Sequence, residues 1–151
     1  MADDLQALED WVQPLIAQLD RKARRQLARK VALELRRSQR ERIKAQRNPN
    51  GSPYEPRKPQ HRTQQGAIRR RAMFSKIRTA KYLKAKGSAE AAEVGFTGHV
   101  ARIADIHQKG RRAMVDRDGP RIRYPERRLI GYTAEDRERV MESVLQHLDT
   151  L

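Results

Sequence analysis

The chain contains no cysteine. That absence removes disulfide frameworks, thiol nucleophiles and any zinc site built on thiolate, and it suits a reducing compartment. Aromatic residues make up only 5% of the composition, so stacking platforms for single-stranded nucleic acid are scarce. No apolar run approaches the roughly 20 residues of a membrane-spanning helix, and no membrane is expected as a partner. The opening Met1-Ala2-Asp3-Asp4 is acidic and lacks the basic start and apolar middle of a signal peptide. The product is therefore expected to stay in the cytoplasm where it is made.

Catalytic patterns are missing as well. There is no glycine-rich loop ending in Lys-Ser or Lys-Thr, no Gly-x-Ser-x-Gly elbow and no His-Glu-x-x-His pair. The four histidines are His61, His99, His107 and His147. His99 and His107 fall two helical turns apart, too far to share a metal without a bend, and His107 reads as a packed residue on an apolar face. Asp105 is a single carboxylate, not an acid/base pair. Asp116 and Asp118 lie among arginines, where ion pairs are the plain reading, and Glu135 and Asp136 suit a helix start. The expectation is no catalytic residue, no metal, no cofactor and no enzymatic activity.

What the chain has is positive charge. Its 151 residues carry 34 Lys and Arg against 19 Asp and Glu, a formal net charge of +15. Such a balance calls for a polyanionic partner, either nucleic acid or an acidic protein surface. With few aromatics and no clear recognition helix, DNA would be held through non-specific, salt-dependent phosphate contacts.

The length points to one domain over 1–151, with a helical N-terminal part (1–47), a basic Pro-rich loop (48–71) and an α+β part (72–151). Leu5, Leu8, Val12, Leu15, Ile16 and Leu19 recur at helical spacing. Pro14 interrupts them, so this helix either bends there or starts later. Over about 21–47, Ala23, Leu27, Val31, Leu35 and Gln39 form a narrow strip on a second helix otherwise covered by Arg and Lys. That basic face is either a contact surface or a solvated face. Asn48-Pro49-Asn50-Gly51-Ser52-Pro53 breaks the pattern, and the loop it opens is expected to order on a partner.

Further along, Phe74, Ile77, Tyr82 and Leu83 suit a strand, Lys86-Gly87-Ser88 a turn and Glu93-Val94-Gly95-Phe96 a returning strand, with a short helix over 73–79 as the alternative. A helix over 98–108 places Val100, Ile103, Ala104 and His107 on one face, with Gly110 as its C-cap. Lys109 to Asp118 reads as a basic loop, and Ile122 and Tyr124 suit a short strand. Leu129 and Ile130 are compatible with another, and these two join Phe96, Ile103 and His107 as expected core. Thr133-Ala134-Glu135-Asp136 opens the last helix, whose apolar face is Val140, Met141, Val144, Leu145 and Leu148. The fold class is α+β: N-terminal helices, a β-hairpin or small antiparallel sheet, a middle helix and a C-terminal helix.

Three stretches carry a resemblance. The first is Arg36-Arg37-Ser38-Gln39-Arg40-Glu41-Arg42-Ile43 followed by Gln46-Arg47-Asn48-Pro49-Asn50-Gly51-Ser52-Pro53-Tyr54-Glu55-Pro56-Arg57-Lys58. The second is Glu93-Val94-Gly95-Phe96-Thr97-Gly98, running into Ala101-Arg102-Ile103-Ala104 and Ile106-His107-Gln108-Lys109-Gly110. The third is Tyr124-Pro125-Glu126-Arg127-Arg128-Leu129-Ile130-Gly131-Tyr132. In order and spacing they resemble the phage tail completion protein S family, also called phage virion morphogenesis proteins, of contractile-tailed phages and prophages. The family usually has Pro-Ala-Arg before Leu-Leu-Gly in the third stretch, where this chain has Glu126 and Ile130.

The resemblance implies a structural role at the head-proximal end of the tail, in tail completion or head–tail joining. By analogy with tail terminators it implies a hexameric ring, on the six-fold axis of the tail tube. The partners it implies are tail tube or sheath proteins, head–tail connector proteins and further copies of the chain, with DNA as an additional candidate. The residues expected to meet them are Arg36, Arg37, Arg40, Tyr54, Arg57 and Lys58, with Arg111, Arg112, Arg127 and Arg128 as a second basic set. A free nucleic-acid-binding protein is the alternative function.

Overall fold

The strip read along the second helix is the element on which the first part of the fold is built. In a computed structural model of the chain, which describes residues 2–57, 72–115 and 117–149, Ala23, Leu27, Val31, Leu35 and Gln39 are all buried. They lie on α2 (Arg21–Lys44), whose remaining surface is basic. Asp20 starts the helix: its Oδ1 accepts the Ala23 N–H at 2.7 Å, satisfying one of the free donors of the first turn.

The described chain falls into two compact units. The first comprises Met1–Ser38, Leu83–Gly95 and Tyr132–Leu151; the second comprises Gln39–Tyr82 and Phe96–Gly131. Each has its own apolar core.

In the first unit, Leu19, Leu27, Val31 and Leu35 of the α2 side meet Val144 of α4 (Ala134–Asp149). Val12, Leu15 and Ile16 of α1 (Ala2–Ile16) pack against the same cluster. The α1 helix runs through Pro14 and stops two residues later. Pro14 cannot give the N–H that would bond the Asp10 carbonyl, and the helix ends within a turn of it. Thr133 caps α4 as expected: its Oγ1 accepts the Asp136 N–H, and Asp136 Oδ2 accepts the Thr133 N–H, both at 3.0 Å. The Asp136 carboxylate is only 1% exposed and also accepts the Ser38 hydroxyl. Ser143 donates to Glu34 in the same unit.

The hairpin is β1 (Leu83–Gly87) and β2 (Ala92–Phe96), joined through Ser88, whose Oγ accepts the N–H groups of Glu90 and Ala91. The first strand thus starts later than the sequence implied. Residues 73–80 form turns instead, with Phe74 at φ +66° and the Arg78 N–H bonded to the Phe74 carbonyl at 3.1 Å. Phe74 is drawn into an aromatic group, and that packing outweighs its strand preference.

In the second unit, Ile43, Tyr54, Met73, Ala104 and Leu129 form the buried core. The middle helix α3 (His99–Lys109) ends on Gly110 in the left-handed conformation, φ 61° and ψ 46°, as its sequence implied. Ile103 was expected inside but is 43% exposed; only Val100 and Ala104 of α3 are fully buried. The basic loop after α3 contains an additional strand. β3 (Arg112–Met114) pairs antiparallel with β4 (Arg121–Arg123), Arg112 opposite Arg123, Ala113 opposite Ile122 and Met114 opposite Arg121. Leu129 and Ile130 lie in no strand. Among the described residues, no helix is long and apolar enough to cross a membrane.

The hairpin and α2 meet closely. A Cβ on Gly87 would lie 2.3 Å from the Arg29 backbone nitrogen, whereas one on Gly95 would meet nothing within 4 Å. Gly87→Ala is therefore expected to lower stability by about 1–3 kcal/mol, and Gly95→Ala to leave it nearly unchanged, in paired urea unfolding curves.

Candidate partner-binding site

The third sequence stretch, Arg127 to Gly131, forms the centre of the second unit. It carries the fully buried Leu129, is neither helix nor strand, and among the described residues pairs with no strand. Its backbone polar groups must be met in some other way, because a buried unpaired N–H or C=O is costly. Side chains meet them. Asn48 Oδ1 accepts the Arg128 N–H at 2.9 Å, and the Tyr54 hydroxyl and Arg42 Nη1 both donate to the Arg128 carbonyl at 2.9 Å. Arg42 Nη2 donates to the Leu129 carbonyl at 2.8 Å. Gln108 Oε1 accepts the N–H groups of Leu129 and Ile130 at 2.7 and 2.9 Å, while its Nε2 donates to the Ile130 carbonyl at 2.8 Å. Gln39 holds both ends of Gly131, accepting its N–H at 3.2 Å and donating to its carbonyl at 2.8 Å. From Arg128 to Gly131, every backbone N–H and C=O has a side-chain partner.

The same device fixes the opening of the Pro-rich loop. Gln46 accepts the Met73 N–H at 3.0 Å and donates to the Met73 carbonyl at 2.9 Å. The turn above it is closed by the Asn48 N–H to the Ser52 carbonyl at 2.8 Å and the Tyr54 N–H to the Gln46 carbonyl at 2.7 Å. Residues 48–57 are thus held by bonds within their own unit. Lys58 and the rest of the loop to residue 71 lie outside the described residues.

Of the expected contact residues, Tyr54 and Arg127 are each only 4% exposed. Arg127 Nε donates to the Glu55 carbonyl at 2.8 Å, its Nη2 to the Pro56 carbonyl at 3.3 Å, and its Nη1 lies 3.3 Å from His107 Nδ1. In the chain by itself these two side chains shape the surface from beneath and do not project from it. Burial holds the Tyr54 hydroxyl above its ordinary pKa and lowers that of the Arg127 guanidinium. Arg40, Arg57, Arg112 and Arg128 are exposed on the second unit, and Arg37 is exposed and Arg36 half-buried on the first. Arg111 is exposed but tied to Asp105 at 2.7 Å, a carboxylate that Lys109 also reaches at 3.1 Å. Those partners keep the Asp105 pKa below the usual carboxylate value, the Lys109 bond first.

Beside Arg127 lies a cleft of about 1020 Å³. Phe74, His107 and Tyr124 form its aromatic side, with ring centroids 4.8 Å apart from Phe74 to His107 and 5.1 Å from His107 to Tyr124. Arg57, Lys109 and Arg123 are among its cationic groups, and Glu55 and Glu126 are the acids. Among the described residues no group of three or more His, Asp or Glu side chains could hold a metal. The arrangement offers recognition through shape, aromatic faces and positive charge.

Three residues of this construction were not singled out from sequence as bearing on the site: Gln39, Arg42 and Gln108. One signal was available. Gln39 continues the buried stripe of α2, and a polar residue in such a register needs a polar partner inside.

The model of the phage virion morphogenesis family matches residues 3–149 of this chain. The tail completion protein S of Escherichia phage P2 is 38% identical over 149 residues, covering 97% of this chain and 99% of that relative. No solved structure matches the chain.

The aromatic side of the cleft generates a pH dependence. Burial, followed by the nearby Arg127 and Arg57 charges, pulls the His107 pKa down from 6.5 to about 4. The unfolded chain therefore takes up the proton first as pH falls. The stability linked to neutral His107 is complete above about pH 6.5 and is lost on the way down towards pH 4. Between about pH 7 and pH 4.5 the wild type is expected to lose about 2 kcal/mol more than His107→Gln, measured by urea unfolding at each pH. Parallel pH profiles would show that His107 is not held neutral by the fold.

Proposed function

The chain belongs to the phage virion morphogenesis family, and from that membership we propose that it completes the tail at its head-proximal end and permits the head to join, as one subunit of a ring. The observation that carries this reading is the end-to-end match to the tail completion protein of phage P2. The residues that bond the main chain of 128–131 fix the surface that Arg128 leaves, and no reaction is assigned to it. The expected neighbours are tail tube or sheath proteins, connector proteins of the head and further copies of the chain, with the finished protein in the virion.

A closed ring with head-to-tail contacts needs two different and complementary faces on each subunit. The charge distribution supplies a basis for them. The α1 helix presents the exposed Glu9 and Asp10 and contains no Lys or Arg, in a chain of net charge +15. The second unit presents Arg40, Arg57, Arg112 and Arg128. Among the proposed contact residues, Arg36, Arg37, Arg40, Arg57, Arg112 and Arg128 act directly, and Tyr54 and Arg127 act by fixing the backbone beneath them.

Electron microscopy of a lysate in which the gene is disrupted tests the reading directly. Filled heads beside unattached tails, or tails of abnormal length, are expected; intact infectious particles at normal yield would overturn it. Within the protein, reversing charge at Arg36, Arg37 and Arg40 together is expected to reduce infectious titre to about the level of the disrupted gene. The fold should survive, because Arg37 and Arg40 are exposed and Arg36 is half-exposed, and exposed ion pairs add little to stability. Unchanged titre from a variant with normal circular dichroism would remove these arginines from the contact surface.

A further inference from the structure

The β3–β4 ribbon carries a charge arrangement that its own unit does not neutralise. In an antiparallel pair, residues directly opposite share a face, with their Cβ atoms about 4.5–5.5 Å apart. Arg112 stands directly opposite Arg123, and Arg121 lies on the same face, opposite Met114. All four side chains are exposed, while Ala113 and Ile122 on the other face are half-buried. Like charges directly opposite each other on a sheet are destabilising unless an anion lies between or above them. Among the described residues no carboxylate is paired with Arg112, Arg121 or Arg123, and Asp118 sits beyond them in the turn; Asp116 lies outside the described residues.

The ribbon is well fixed in spite of this repulsion. The ladder continues at both ends through the Tyr124 N–H to the Arg111 carbonyl at 3.1 Å and the Val115 N–H to the Pro120 carbonyl at 3.3 Å. Arg111 anchors the base to Asp105 of α3. A fixed two-stranded ribbon displaying three guanidinium groups has a shape that enters or lies along the major groove of duplex DNA. Arg121 and Arg123 are successive outward residues of one strand, about 7 Å apart, and Arg112 lies across from Arg123, so the three cations form a triangle that can meet several backbone phosphates. Guanidinium forks match phosphate oxygens in pairs. What favours a polyanion is the density of one sign: three arginines share this face with Met114, and among the described residues no carboxylate pairs with them. We infer that the β3–β4 ribbon is a contact element for the phosphate backbone of duplex DNA, acting through Arg112, Arg121 and Arg123 without reading sequence. This assignment goes beyond the tail-completion reading and is tested without it.

The test is fluorescence anisotropy of the purified full-length chain with a short labelled duplex of arbitrary sequence, over about 50–200 mM salt. The ribbon variant replaces Arg112, Arg121 and Arg123 with Ala. The control removes equal charge from exposed positions on α2, with Lys22, Arg25 and Arg29 replaced by Ala. The ribbon variant is expected to bind roughly 10- to 100-fold more weakly at the lower salt, with a logarithmic salt slope shallower by about 2.7, while the control keeps most of its affinity. Restoring charge by Lys at the three ribbon positions should recover most of the slope. Equal losses in both variants would mean that net charge alone drives binding. No DNA binding by the wild type would remove duplex DNA as the ligand, and tighter binding of poly-glutamate than of the duplex at matched charge concentration would assign the ribbon to an acidic protein instead. Each of these three outcomes overturns the inference.

Discussion

Glutamine side chains hold the main chain at the centre of the second unit. A segment that carries a fully buried residue, Leu129, needs partners for its backbone polar groups, and in a sheet a neighbouring strand would supply them. Here Gln39 and Gln108 present an amide N–H and C=O to the backbone just as a neighbouring strand would, and Arg42 donates to the Arg128 and Leu129 carbonyls; Gln46 does the same for Met73. The chemistry requires these residue types. Glutamine carries both a donor and an acceptor at the end of a reach long enough to cross from a helix, and arginine can donate to several carbonyls at once. The positions of Arg127, Arg128 and Tyr54 all follow from that fixed backbone.

Much of the fold was legible because it rests on periodicity and capping. The α2 stripe, the α4 cap at Thr133 and the C-cap at Gly110 are local signals that tertiary packing did not override. Phe74 and Ile103 were misread for opposite reasons. Phe74 left the strand pattern because an aromatic group recruited it into a turn with positive φ. Ile103 sits on the expected helix but is turned to the surface, since the buried face of α3 centres on Val100 and Ala104. The β3 strand was hidden because its outward residues are arginine and methionine, which carry no alternation of apolar and polar character. The candidate site was half legible. Its charge could be counted from sequence, but whether a given arginine faces outward or inward depends on partners distant in the chain, such as Glu55 and Pro56 for Arg127.

Positive charge in this chain therefore has at least two physical roles. Arg42 and Arg127 are spent on main-chain carbonyls, where a charged donor satisfies several acceptors within the unit. Arg112, Arg121 and Arg123 sit on a short ribbon and repel one another. Both roles suit a component whose business is assembly. The first fixes the main chain from beneath, and the second leaves positive charge that no carboxylate among the described residues pairs with.

The glutamine clamp has an evolutionary corollary. It grips the main chain of residues 128–131 and takes no account of which side chain leaves that main chain outward. Arg128 is exposed, and so is Glu126 just before the clamp. Selection can therefore rewrite these two outward positions to suit a different head or tail while the clamp and the core beneath it stay as they are. Drift is permitted at the outward positions and forbidden at Leu129 and Gly131, where Leu129 is fully buried and a Cβ on Gly131 would collide with the Pro49 ring at 2.4 Å.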